Sequence, residues 1–417
     1  MKKILLFVSL VAIALTGVAQ EKKQKPISVK LYGFVRNYID FDSRENFSSN
    51  SDQFNMIPKD WDKQATGEDI NARGDIHLLS VTTRLGLNVT GPEFLNAATS
   101  AKIETDLAGF GSNNYVLRIR QAYAKMDWKN HNLLIGQAWH PMMGDMMPDV
   151  FSLATGSPFT PFSRSPQVRY NFVSKGFTLT ATALYQFQYT SNGPSGSSYE
   201  YARKAIIPEG YIQLMYKNGG FMAGAGVDIL TLKPRNEYTS TVTGAKTRSN
   251  ALITSYSPTL FLSYKGDNWG IKTRATYAQN AGHLNMLSGY AVSNIKEDGE
   301  WEYASLNSIT YWIDATYKQK LEKGSLTYCL FGGYGKNLGC NKNILTNNMY
   351  IRGYNNIDYY WRVAPSILYT HNAMQIGLEY EPTTVGYGEL EKNSNAAIKS
   401  THTVTNHRIC AMVKYNF

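Results

Sequence analysis

Apolar and polar side chains alternate along most of the chain, in short runs separated by glycine, asparagine and charged residues. Leu79, Val81, Thr83, Leu85, Leu87 and Val89 share one face, and Ser80, Thr82, Arg84, Gly86 and Asn88 share the other. Phe177, Leu179, Ala181, Ala183, Tyr185, Phe187 and Tyr189 alternate with Thr178, Thr180, Thr182, Gln186 and Gln188, and only Leu184 breaks the pattern. Ile271, Thr273, Ala275 and Tyr277 oppose Lys272, Arg274 and Thr276, and Ile409, Ala411, Val413, Tyr415 and Phe417 close the chain in the same way. A period of two belongs to strands with one apolar face. The pattern predicts sixteen of them, near 29–40, 76–89, 97–108, 115–128, 132–140, 167–173, 176–190, 206–217, 220–232, 251–265, 268–280, 304–319, 324–336, 356–370, 372–387 and 403–417.

The connections between these runs follow a rule. Even-numbered runs end in tight links such as Lys129-Asn130-His131, Ser174-Lys175, Asn218-Gly219 and Gly266-Asp267. Odd-numbered runs lead into long polar segments, 41–75, 141–166, 191–205, 233–250, 281–303, 337–355 and 388–402, the exception being the short 109–114. Tight turns on one rim and long loops on the other are the asymmetry of an outer-membrane barrel. A propeller would instead repeat a signature every 40–50 residues or so, and the chain carries none. The expected fold is therefore all-β: a transmembrane antiparallel β-barrel of about 16 strands with short periplasmic turns and long extracellular loops.

Composition agrees with that expectation. The 417 residues include 29 Tyr, 17 Phe, 7 Trp and 34 Gly, yet the chain is polar on average and has no later run long enough for a spanning helix. Only alternate residues of a barrel strand touch lipid, which accounts for both properties. Lys2 and Lys3, the apolar run Ile4 to Leu15 and the small residues up to Ala19 form a secretory signal. The expected division is a signal peptide at 1–19, a short tail at 20–28 and a barrel at 29–417, in the outer membrane of a Gram-negative bacterium. The net charge of +10 is spread singly over alternating strands, which does not form the patch that nucleic acid needs. Cys329, Cys340 and Cys410 are too few for a disulfide scaffold; one pair could bridge, and incidental small residues is the simpler reading.

A barrel this wide leaves a lumen that side chains cannot fill. The face opposite the apolar one carries a basic row of Arg84, Lys102, Arg118, Arg120, Arg169, Arg274 and Arg362, with Lys272 beside it. Glu104 and Asp106 share the face of Lys102 and neutralise part of the row. Guanidinium groups keep their charge and bind carboxylate or phosphate in a two-pronged fashion, so the expected preference is for anions. The segment 141–166 holds Met142, Met143, Met146 and Met147, with Asp145, Asp149, Phe151, Phe159 and Phe162. It is too apolar to stand in water, and it is expected to fold inward as a constriction with Asp145 and Asp149 facing the basic row. The rival reading is a contact loop between subunits. No zinc-like His spacing and no nucleophile elbow is present, so neither catalysis nor a cofactor is expected.

Several motifs resemble the bacterial general porin superfamily. Thr83-Arg84-Leu85-Gly86-Leu87 is similar to its early-strand signature, and Arg120-Gln121-Ala122-Tyr123-Ala124 with Leu134-Ile135-Gly136-Gln137 to the strand pair before its constriction loop. Gln167-Val168-Arg169-Tyr170 resembles the strand after that loop, and Tyr415-Asn416-Phe417 the terminal signal read by the outer-membrane assembly machinery. Within the superfamily the chain looks most like the DcaP-like porins. That resemblance implies a homotrimeric channel in outer-membrane lipid and lipopolysaccharide, passing dicarboxylates and other small anions. Gln20 to Ser28 is too short for the helical N-terminal extension some members carry. The competing function is an adhesion or structural barrel that displays 41–75 and 281–303. An energised transporter would need a plug domain and about 22 strands.

Overall fold

The computed structural model describes residues 26–49, 54–109, 116–144 and 146–417. The signal-peptide segment and Asp145 lie outside the described residues. Sixteen antiparallel strands close into a barrel with further short strands outside the ring. They are β1 (Ser28–Asp42), β2, β3 (Ala98–Asp106), β4 (Arg118–Asp127), β5 (His131–Trp139), β6 (Arg164–Ser174), β7 (Phe177–Leu184) and β8 (Glu209–Asn218). Then follow β9 (Phe221–Leu232), β10 (Ile253–Lys265), β11 (Trp269–Gln279), β12 (Trp301–Lys320), β13 (Ser325–Gly339), β14 (Ile357–His371), β15 (Met374–Leu390) and β16 (Ile398–Asn416). Strand β2 is interrupted, as Asp75–Leu79 and Arg84–Thr90, and both parts pair with β1. The break is bridged by side chains: the Arg36 backbone N–H donates to Thr83 Oγ1 and its Nε to Thr82 Oγ1.

Closure joins the first strand to the last, from Phe34 opposite Asn416 to Asp42 opposite Arg408. Gly33 and Phe417 exchange backbone hydrogen bonds of 3.0 and 3.1 Å at the seam. With no edge left, every strand's backbone polar groups find partners, the condition for crossing hydrocarbon. The exposed face carries Val35, Ile39, Leu85, Ile103, Ile119, Leu179, Leu260, Ile313, Leu378 and Val413, the apolar band that lipid requires. The tight links lie where alternation placed them. Lys175 and Gly176 turn with φ of 49° and 85°, both positive as in the hairpin turn that matches strand twist.

All sixteen predicted runs correspond to strands, with shifts at their ends. The largest is β7, which stops at Leu184 rather than near 190. Leu184, the apolar exception on the polar face, points inward beside Thr182, into a cluster with Met142, Tyr211 and Leu284. The long loops are less exposed than their polar composition suggested. The first folds a hairpin, Asn46–Ser49 with Phe54–Pro58, whose second strand is buried throughout. Residues 281–292 of the sixth are buried as well. At the outer rim Asn250 N–H and the Lys296 ammonium bond the Glu300 carboxylate and hold it below the usual carboxylate range. The three cysteines are free and buried.

Candidate functional site

The first and third loops turn into the barrel, with part of the sixth packed against them, and their contacts define the site. The third loop leaves β5 at His140 and crosses to the far wall. Arg274 of β11 donates to the Met142 carbonyl, and Lys272 Nζ to the Met147 carbonyl at 3.1 Å. The Asp149 N–H donates to Asp314 of β12, while its carboxylate pairs with Lys272 at 2.6 Å. Glu379 of β15 accepts the Phe151 and Ser152 N–H groups at 2.8 and 2.9 Å. Arg362 of β14 donates to the Ser157 carbonyl at 3.1 Å. The strands β12 to β15 stand across the ring from β5, so the loop spans the lumen. Met142, Met143 and Met146 are buried, Met147 half-buried, and Asp149 exposed.

Apolar side chains hold the loop as firmly as these polar ends. Phe159 packs edge-on against Phe331 and tilted against Tyr360, with ring centroids 6.1 and 5.1 Å apart. The ring sits over Gly333, where a Cβ would come within 2.6 Å of Phe159 Cγ; Phe151 sits likewise over Gly377. Wall glycines thus make the sockets for the loop's phenylalanines, an arrangement that any larger residue would fill. Phe261, Trp312, Phe331 and Tyr360 all occupy the inward parity of their strands and are buried. Apolar residues on a lumen face are out of place in water, and that misplacement was the available signal for a docking floor. The hairpin of the first loop lies on the same floor: Met56 and Ile57 join the cluster around Phe159, and Arg362 Nη2 donates to the Met56 carbonyl at 2.6 Å.

The basic row faces inward, but its members differ in what they meet. Arg118 grips Asp106 through two bonds of 2.9 and 2.8 Å. Arg120 bridges Glu104 at 2.8 Å and Asp106 at 2.6 Å. These two, with Arg274 and Arg362, are at most 6% exposed; their charge is engaged within the protein. Arg84 and Lys102 lie 3.7 and 4.0 Å from Glu104 and keep part of their surface in the lumen. Arg169 is half-buried and donates to Gln167 Oε1 and to the Trp139 carbonyl. With Arg274 it borders a gap of about 150 Å³ between the wall and Met143 and Met146 of the third loop.

Below the third loop, towards the tight turns, lies a wider cavity of about 810 Å³. Its lining carries six basic side chains, Arg36, Lys217, Lys265, Lys272, Lys318 and Lys414, against two acidic ones, Asp149 and Asp267. Of these six, only Lys272 stands in the sequence reading, beside the basic row. Lys217, Lys265 and Lys318 stand at strand ends beside the short turns, and that shared position was legible in the alternation.

No protein-family model matches the chain, and no curated protein does. Among solved structures, the outer membrane channel DcaP of Acinetobacter baumannii superposes with a TM-score of 0.67 at 20% identity, covering 96% of this chain and 100% of that one. The resemblance read from the sequence holds for the fold. In-vitro folded OmpT, an outer membrane protein of Vibrio cholerae, matches with a TM-score of 0.54 at 13% identity over 96% of this chain and all of that one. Its trimer form gives 0.52 at 13% identity, covering 94% of this chain and 100% of that one.

Proposed function

We propose that this protein is an outer-membrane porin, a passive diffusion channel for small hydrophilic solutes that prefers anions and dicarboxylates. The observation that carries the preference is the cavity under the third loop, where six basic side chains face two acidic ones. A low-dielectric wall focuses the field of such an excess and raises the local concentration of anions. The paired cations Arg118 and Arg120 contribute position and rigidity more than free charge. The third loop, through Met142, Met143, Met146, Met147 and Asp149, forms the constriction, and the hairpin of the first loop narrows the same passage. The signal at 1–19 directs export, and Tyr415 and Phe417 mark the chain for the barrel-assembly machinery. The chain works as a homotrimer in lipid and lipopolysaccharide. The DcaP and OmpT folds support this reading. The burial of 54–58 and of much of the sixth loop leaves the adhesion alternative with less surface to display.

Reversal potentials across a planar bilayer with a KCl gradient test the proposal. The expected sign is chloride over potassium; potassium preference would overturn the anion reading, and absence of stable conductance would overturn the channel.

A further inference from the structure

Four side chains that the channel reading does not use meet at the base of the third loop. His140 follows the last residue of β5, Glu209 opens β8, Asp228 lies near the loop end of β9, and His283 belongs to a helical turn (Gly282–Leu284) of the sixth loop. Nothing in their sequence spacing suggests a metal site; closure of the barrel brings them together. Each is at most 2% exposed. His140 Nε2 lies 2.8 Å from Glu209 Oε1 and 3.6 Å from Asp228 Oδ1. His283 Nε2 lies 3.1 Å from Glu209 Oε1 and 3.9 Å from Asp228 Oδ2. Glu209 Oε2 and Asp228 Oδ1 have no hydrogen-bond partner, although both residues are buried.

One ligand atom each of His140, Glu209 and Asp228 lie within 4.8 Å of one another, against an edge of roughly 3.3 Å for a tetrahedron of 2.0–2.1 Å bonds to zinc. His283 flanks this trio through Glu209 and the other Asp228 oxygen and would close in as the fourth ligand. Two adjacent carboxylates away from water need a compensating charge. Arg274 is engaged by the Met142 carbonyl, which leaves the two imidazoles, protonated or metal-bound, to supply it. We propose that His140, Glu209, Asp228 and His283 form a structural site for a first-row divalent cation of the zinc class. A dication held by two carboxylates and two neutral imidazoles is electrically balanced, and this nitrogen and oxygen set suits zinc better than calcium. Coordination through Nε2 places the ring proton of His140 on Nδ1. That gives up the long 3.2 Å bond Nδ1 accepts from the Met142 N–H, one weak contact against four coordinate bonds.

The consequence is mechanical. His140 starts the third loop and His283 lies in the sixth, and the two loops already share bonds from Phe162 N–H to the Leu284 carbonyl and from Ser157 Oγ to the Asn285 carbonyl. A metal there staples both loops to β8 and β9, whichever ions the channel prefers.

The test uses the purified full-length barrel in detergent, incubated with ZnCl2 or CaCl2, desalted, and assayed for metal by mass spectrometry. The expected result is about one zinc per chain and no calcium. His283→Ala and Asp228→Asn should each lower zinc retention by roughly tenfold or more. CoCl2 added to the unaltered protein should produce the intense visible bands of a tetrahedral site, a readout that needs no variant. Less than about a tenth of a zinc per chain, a pale octahedral cobalt spectrum, or undiminished zinc in folded variants would overturn the site. So would a thermal midpoint that follows pH but ignores zinc, since that describes a plain histidine–carboxylate ion-pair network.

Discussion

Asp106 shows how a single residue sets the charge that a solute meets. It accepts two bonds from Arg118 and one from Arg120, so two cations in the wall are answered by one buried carboxylate, with Glu104 completing the balance. Removing one partner of a buried ion pair costs about 3 kcal/mol or more, because the other is left without compensation. Asp106→Asn should therefore lower the thermal midpoint. In the same protein the reversal potential should move further toward chloride, since Arg118 and Arg120 lose a countercharge. Replacing both arginines with Ala should move it the other way. Equal reversal potentials in all three proteins would show that these groups lie off the ion path. Basic residues on an alternating face were visible in the sequence, but whether a neighbouring strand supplies their acids depends on register. Arg118 stands opposite Asp106 only because β3 and β4 pair as they do.

At the scale of elements, the inward loops depend on a small number of fixed points. Arg362 joins three of them: its guanidinium donates to Met56 of the first loop, Ser157 of the third and Thr383 on the neighbouring strand. Hydrogen bonds to a charged group contribute about 1.5–3 kcal/mol each, so Arg362→Ala should loosen both loops at once. The expected outcome is a larger and noisier single-channel conductance with the barrel intact. Arg362→Lys keeps the charge but loses the planar fork. Conductance like that of the Ala variant would assign the role to geometry, and wild-type conductance would assign it to charge alone. The inward course of the third loop was legible from its methionines and phenylalanines. That of the first was not, because Phe54, Met56 and Ile57 are a short apolar interruption in a long polar segment, and nothing local says which wall they meet.

At the scale of the molecule, the barrel leaves most of its apolar surface facing outward. Lipid covers such a surface, and so does a second copy of the chain. Under the proposed homotrimeric assembly, the protein extracted in mild detergent should migrate without heating at three times the mass of the chain. It should fall to the single-chain mass after boiling. A single-chain mass in both lanes, with the barrel still folded, would sink the trimer.

The alternation of side chains determined the strand number, the closed sheet and the two unlike rims. Those properties follow from a period of two and from lipid on one side, both local to each strand. The sequence also determined that the third loop would leave the water, since its composition allows little else. Only the tertiary structure decided which cations stay free, where the first loop goes, and that His140, Glu209, Asp228 and His283 meet. Each of these depends on residues far apart in the chain, brought within a few ångströms by strand register and barrel closure. Local pattern carries information about faces, whereas long-range pairing decides partners.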